Sequence, residues 1–297
     1  MTQINVFIKR HPVLTFYILV FALSWGPPLI VFGFLDTGAL LGTGAQPILS
    51  PFAYLAMLPG ALIPALAGLL VTGLISGRAG LRDLRSRLFR WRVSVRWYAV
   101  ALLTAPLLMT AILFALSLTS RAFLPAIITA GDKTSLLVSG LVVGLVFAFF
   151  EEVGWMGFAT PEIRKRNGLL TTGLIVGLLW GALHLPLFAV SASSSGPIPP
   201  ALYVVVALFS WLPAYRVLMV WVYDQTRSVL VAILMHLPII VGTFVLLSPA
   251  MAGIPDLTFN LVFGAMLWVI IAGVALSSRR KLLRGEHASA TPLTHNL

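Results

Sequence analysis

Long apolar runs recur along most of this 297-residue chain. A helix needs roughly 20 residues, at 1.5 Å each, to cross about 30 Å of hydrocarbon. Eight runs reach this length, at 13–35, 53–75, 97–118, 136–158, 169–190, 201–223, 228–247 and 258–277. The pattern predicts an all-α, polytopic integral membrane protein with about eight transmembrane helices.

One basic segment precedes the third predicted span. In residues 78–97, RAGLRDLRSRLFRWRVSVRW, leucines recur at spacings of three and four, with arginines between them. This periodicity favours an amphipathic helix on the cytoplasmic membrane surface. Such a helix would either set the topology or attract an anionic or membrane-bound substrate.

Composition agrees with residence in a bilayer. Hydrophobic residues make up 59% of the chain and charged residues only 10%, too few to cover a water-soluble globule of this size. No linker long enough to separate domains interrupts the spans, so residues 1–297 are interpreted as a single integral membrane domain. The absence of cysteine rules out disulfides, thiolate catalysis and cysteine-ligated metals.

The basic residues are distributed unequally between the two sides of the membrane. Seventeen Lys and Arg fall on the side of the termini, two on the opposite side, and Arg216 lies within a span. The positive-inside rule then predicts that both termini are cytoplasmic. The net charge of +11 therefore indicates topology and contact with anionic lipid headgroups, not nucleic-acid binding.

Two adjacent acids, Glu151 and Glu152, lie inside the fourth span. An ionised carboxylate at that depth costs at least about 2.5 kcal/mol unless it faces water, a cation or a metal. We expect one to face a site and the other a neighbouring helix, because successive residues point about 100° apart. The alternative is that the helix ends early and the pair is solvated.

Two histidines lie at a similar depth, His184 on the fifth span and His236 on the seventh. Carboxylates and imidazoles together suit activation of water, with a carboxylate as base and imidazoles as orienting groups. They equally suit a divalent metal such as zinc, with Glu151, His184 and His236 as candidate ligands. The patterns H-E-x-x-H and Gly-x-Ser-Gly are absent from the chain.

Three motifs, EEVGWMG, W-x-x-x-H at Trp180–His184 and SVLVAILMH ending at His236, resemble the CPBP family in order and spacing. This family comprises membrane proteases related to the CAAX prenyl endopeptidase and bacterial bacteriocin-immunity and lysostaphin-resistance-like proteins. The resemblance covers about residues 78–245. It implies a bacterial plasma membrane protein in which Glu151 activates water, His184 holds that water, His236 contributes to the oxyanion site and Glu152 supports them.

Two positions depart from the family motifs. The usual E-E-x-x-x-R ends here at Met156, and the polar residue four positions after the last histidine is replaced by Ile240. Since Met156 cannot neutralise Glu152, we expect either Arg216 to pair with that acid or the acid to remain protonated. Trp155 and Trp180 flank the site, and core packing is the expected role of both.

Three functions are compatible with these residues. The first is an intramembrane endopeptidase that cleaves a hydrophobic or lipid-linked peptide. The second is a catalytically impaired relative that acts as an immunity or scaffold protein, a hypothesis favoured by Met156 and Ile240. The third is a small proton-coupled transporter, which would also use intramembrane Glu and His.

Overall fold

The computed structural model describes residues 3–35, 51–185, 196, 198–248 and 250–283. Every regular element within these ranges is helical, which confirms the all-α prediction. The helices are α1 (Gln3–Arg10), α2 (Pro12–Leu35), α3 (Pro51–Leu88), α4 (Val95–Ser117), α5 (Ala126–Thr129), α6 (Lys133–Gly154), α7 (Thr160–Arg164), α8 (Leu169–Leu183), α9 (Pro200–Phe209), α10 (Leu212–Thr226), α11 (Val229–Val245) and α12 (Ile254–Leu283). A π-helical segment, Trp155–Ala159, joins α6 to α7.

The helices are those of an integral membrane protein. Four described stretches are long and apolar enough to cross a membrane: Ala61–Leu88, Val95–Ser117, Lys133–Arg164 and Ile254–Ser277. Shorter apolar helices cover Pro12–Gly26, Leu169–Leu183 and Val229–Val245. Each of the eight predicted spans overlaps a helix, although residues 186–190 of the fifth span lie outside the described residues.

The sixth predicted span is not one continuous helix. Helix α9 ends at Phe209 and α10 begins at Leu212, although the apolar run continues through both. Pro213 lies in the first turn of α10. A proline ring clashes with the carbonyl four residues earlier, which here belongs to Phe209, and this explains why the first helix ends there.

Glycines allow α8 and α10 to pack in close contact. Gly173, Gly177 and Gly181 recur every fourth residue on one face of α8. A Cβ added to Gly173 would lie 2.6 Å from Val217 Cα, and one added to Gly177 would lie 2.6 Å from Pro213 Cα. Small residues at this spacing let helix backbones approach inside a membrane. The approach brings the residues of α10 around Arg216 against α8.

A second close crossing fixes the end of α6. A Cβ on Gly154 would overlap the backbone carbonyl of Pro64 in α3. Gly154 lies two residues after Glu152, so this contact holds the last turn of α6 against α3. Helix α11 packs along the rest of α6.

The predicted amphipathic helix is present but packs against the protein itself. Helix α3 bends at Gly77, whose φ of 58° and ψ of −150° are not helical, and residues 78–88 continue beyond the bend. Leu84 is only 2% exposed and joins a small core with Ala65 and Val153. The arginine-rich helix therefore covers the base of α6, while Leu81 stays exposed.

We expect Gly177→Ala to destabilise the protein, because its methyl group would press on the backbone of α10. Overpacking of this kind costs about 1–3 kcal/mol. Thermal unfolding in detergent measures the change, and Gly273→Ala is the control, since an added Cβ there meets nothing within 4 Å. A loss of stability equal in both variants would contradict the close-packing explanation.

Candidate active site

The two acids lie in the last turn of α6 and are both buried. Glu151 is 2% exposed and Glu152 is 0% exposed, so the alternative of a solvated pair at a helix end is wrong. The side chains diverge as expected for successive helical residues. Glu152 faces α10 and α11, and Glu151 faces α8.

Glu152 is neutralised by a cation from another helix. Arg216 Nη1 on α10 donates to both carboxylate oxygens, at 2.8 and 2.9 Å, and the two residues are entirely buried. The pairing expected from the absence of an arginine at Met156 is thus present. Met156 itself is fully buried among apolar side chains of the core.

His236 is the second partner of Glu152. Its Nδ1 lies 2.6 Å from Glu152 Oε1, and its side chain is 2% exposed. A carboxylate only accepts hydrogen bonds, so the proton of this contact belongs to His236 Nδ1. Tyr215 Oη donates to the carbonyl of Met235 at 2.5 Å, which fixes the backbone next to the histidine.

Glu151 contacts α8 through a different pair of residues. Trp180 Nε1 donates to Glu151 Oε2 at 2.7 Å. The other carboxylate oxygen, Oε1, lies 4.0 Å from His184 Nε2. This separation is too long for a direct hydrogen bond, but one water molecule hydrogen-bonded to both atoms would span it.

His184 is oriented by its own helix. It caps α8, and its Nδ1 lies 2.8 Å from the carbonyl of Trp180. The carbonyl can only accept, so Nδ1 carries a proton, and a ring without a second proton would present the Nε2 lone pair toward Glu151. The side chain is 26% exposed, the highest exposure among the four candidate residues. The site is therefore most accessible at His184.

Trp180 contacts Glu151, both histidines and Arg216, a role that was not expected from its position in an apolar helix. Besides its bond to Glu151, its ring lies edge-on to His184 and to His236, with centroids 5.5 and 5.2 Å apart. The Arg216 guanidinium carbon lies 4.2 Å from the ring centroid, within cation–π range. Trp155, by contrast, packs in the apolar core as expected.

The arrangement of donors does not form a metal site. No group of three or more His, Asp or Glu side chains in the described ranges is placed to hold a metal ion. Of the candidate ligands, His236 directs its Nδ1 at Glu152. The residues as placed do not fit a zinc ion.

Ile240 follows His236 by one helical turn in α11, which runs continuously through Pro238. Ile240 is partly buried and packs against the main hydrophobic core. It offers no hydrogen-bond donor at the position where the family motif has a polar residue. Of the two motif departures, the one at Met156 is compensated by Arg216.

Two comparisons of the sequence with known proteins both lead to one family of membrane proteases. Residues 133–242, from the start of α6 to the last turn of α11, match the family model described as type II CAAX prenyl endopeptidase Rce1-like. The resemblance to CPBP-family proteases is confirmed. The chain is also 27% identical over 210 residues to CAAX prenyl protease 2 of Methanococcus maripaludis, across 67% of this chain and 74% of that relative. Both matches support an intramembrane protease.

We expect Arg216→Met and Glu152→Gln to show strong coupling in a double-mutant cycle. Arg216→Met leaves a buried carboxylate unpaired, which costs about 3–5 kcal/mol, whereas the double variant removes both charges. Unfolding in detergent measures all four proteins.

The matched control is Lys165→Met, which breaks a more exposed ion pair with Glu162, where the side chains are 63% and 17% exposed. Such pairs contribute about 0–1 kcal/mol. Additive effects of the two buried substitutions would contradict a direct ion pair.

Proposed function

We propose that the protein is an intramembrane endopeptidase that hydrolyses a hydrophobic or lipid-linked peptide with water activated by Glu151. The separation of 4.0 Å between Glu151 Oε1 and His184 Nε2 carries this proposal. Two acceptors at this spacing suit one water molecule that donates a hydrogen to each. The lone pairs of that water are then directed away from both groups, toward an incoming carbonyl carbon.

Glu151 would serve as the general base. Trp180 Nε1 donates a hydrogen bond to Glu151 Oε2, so Oε1 is the oxygen that would bind the water. As the water attacks the peptide carbonyl, its proton passes to Oε1, and this proton can then be delivered to the leaving nitrogen. Proton transfer by a positioned side chain contributes typically about 10²–10⁴-fold to the rate.

His236 would stabilise the oxyanion through Nε2. Its Nδ1 proton is held by Glu152, and a protonated ring carries a second donor at Nε2. Glu152 fixes the orientation of this ring through Nδ1, and Arg216 holds Glu152 in place through both carboxylate oxygens.

The named relative is a prenyl protease, and a lipid-linked peptide fits a site buried among membrane helices. Apolar helix surfaces would accept the lipid or hydrophobic part, and the partly exposed His184 marks the side from which the peptide backbone enters. The excess of basic residues on the side of the termini supports cytoplasmic termini, and the family resemblance is the basis for proposing a bacterial plasma membrane. A divalent metal such as zinc enters no step of this mechanism.

A second candidate function is that of a catalytically impaired immunity or scaffold protein. Ile240 favours it, because the oxyanion site lacks a donor one turn beyond His236. Losing one such donor costs about 10²–10³-fold in rate. The pairing of Arg216 with Glu152 favours the peptidase, since the ion pair that the missing motif arginine would make is supplied from α10.

Glu151→Gln should reduce cleavage of a prenylated CAAX peptide by at least about 100-fold, because the amide cannot take the proton of water. Purified protein in proteoliposomes is assayed by mass spectrometry of the products. The control is Asp132→Asn, since Asn also caps helices well and residue 132 lies at the opposite end of α6.

The two candidate functions predict different results for the same variants. Equal cleavage by the parent and Glu151→Gln would contradict the peptidase mechanism. Cleavage by neither protein, with a biological protection effect that survives Glu151→Gln and His184→Ala, would favour the immunity function.

Trp180→Phe should lower kcat about tenfold with little change in KM, because the ring remains but the Nε1 donor that orients Glu151 is lost. Trp180 is a positioning residue, so the effect should fall on kcat and not on KM. Steady-state kinetics measure both constants, with Trp155→Phe as the matched control, since the Trp155 ring packs in the apolar core. Unchanged kcat in Trp180→Phe would show that the hydrogen bond does not position the base.

A further inference from the structure

A cavity of about 430 Å³ lies beyond the π-helical segment, where the basic residues gather. It is open on one side and is lined by the bent end of α3, by Gly157 and Phe158, by α7 and by the end of α10. Its volume is within the range of small-molecule sites. None of the four catalytic candidates lines it, so it is separate from the site described above.

The charges that line this cavity do not balance. Four basic side chains face two acids: Arg87, Arg90, Lys165 and Arg227 against Asp83 and Glu162. Asp83 pairs with Arg87 at 2.8 Å, and Glu162 pairs with Lys165 at 2.6 Å. Within the described part of the chain, Arg90 and Arg227 have no carboxylate partner. The cavity therefore has an excess of two positive charges.

The backbone holds the two unbalanced arginines next to each other. Ser228, which is fully buried and follows Arg227 directly, donates from Oγ to the carbonyl of Arg90 at 2.6 Å. This bond ties the segment after α3 to the turn after α10. Two cationic residues anchored at neighbouring points of the cavity wall favour an anion between them.

Arg227 occupies a backbone position that usually requires glycine. It caps α10 with φ of 52° and ψ of 29°, the only positive φ of a non-glycine residue in the described ranges. This conformation costs an L-residue about 1–2 kcal/mol, and glycine is the usual solution at such a helix end. An arginine here directs a charged side chain to the cavity where glycine would leave none.

Arg87 is already ordered at the cavity wall. Its guanidinium donates to Asp83, to the carbonyl of Gly157 at 3.0 Å and to Tyr223 Oη at 2.7 Å, and its side chain is 15% exposed. Thr72 and Ser76 also line the cavity and carry hydroxyl groups. Guanidinium groups and hydroxyls are the side chains that bind phosphate oxygens.

We infer that this cavity binds a phosphate group between Arg90 and Arg227. The group is carried either by an anionic phospholipid headgroup at the membrane surface or by the free ion. The inference does not rest on the proposed peptidase activity, since neither arginine contacts Glu151, Glu152, His184 or His236 among the interactions of the described residues.

The test is a titration of thermal unfolding in an uncharged detergent. The probes are dioctanoyl phosphatidylglycerol, inorganic phosphate and dioctanoylglycerol, which has the same chains without phosphate. A ligand that binds the folded state raises the melting temperature in a saturable way. We expect saturable stabilisation of the parent by at least one phosphate compound and none by dioctanoylglycerol.

Two double variants remove the same charge from different places. Arg90→Gln with Arg227→Gln should raise the half-saturating concentration at least tenfold. Arg82→Gln with Arg85→Gln, on exposed positions of the same basic helix outside this cavity, should change it less than twofold. If the first pair does not fold, Arg90→Gln alone should raise the value about fivefold.

Each source of phosphate has its own outcome. Stabilisation by phosphatidylglycerol that inorganic phosphate does not displace identifies a lipid headgroup, and stabilisation by inorganic phosphate alone identifies the free ion. The inference is overturned if both double variants lose affinity equally, if neither phosphate compound stabilises the parent, or if dioctanoylglycerol stabilises it as much. None of these outcomes depends on cleavage activity.

Discussion

The ion pair between Glu152 and Arg216 constrains the whole centre of the protein. Both side chains are completely buried, and each charge alone would carry a desolvation penalty of several kcal/mol. The pair therefore forces α6 and α10 to meet at one depth. His236 on α11 shares the same carboxylate, and Trp180 on α8 covers the guanidinium, so four helices are fixed around one charge pair.

The origin of the cation distinguishes this site from one built on a single helix. An arginine at position 156 would lie on the helix of the acids and would pair with Glu152 locally. Here Met156 packs in the core, and the positive charge comes from Arg216 on α10, which is 64 residues from Glu152 in sequence. The electrostatics of the site then depend on the crossing of α8 and α10, and hence on Gly173 and Gly177.

The sequence allowed the spans, both acids and both histidines to be identified, because isolated charges in apolar runs stand out. Arg216 was reachable as well, since an unneutralised Glu152 required a cation and only one lay within a span. The role of Trp180 was not predictable, because a tryptophan in an apolar helix looks like core wherever its Nε1 points. The break between Phe209 and Leu212 was not predicted, because apolar residues continue through it. Pro213 is the signal that could have indicated it.

The π-helical segment separates the direction of the acid pair from the direction of the basic end that follows it in the chain. On an uninterrupted α-helix, Glu151 and Arg164 would be separated by about 220° around the axis, as thirteen steps of about 100° give. A wider turn at Trp155–Ala159 changes that angle. This turn is closed by Thr160 N–H, which donates to the Trp155 carbonyl. One helix can thus aim its acids and its arginine in unrelated directions, and gain or loss of a single residue there would rotate one end against the other.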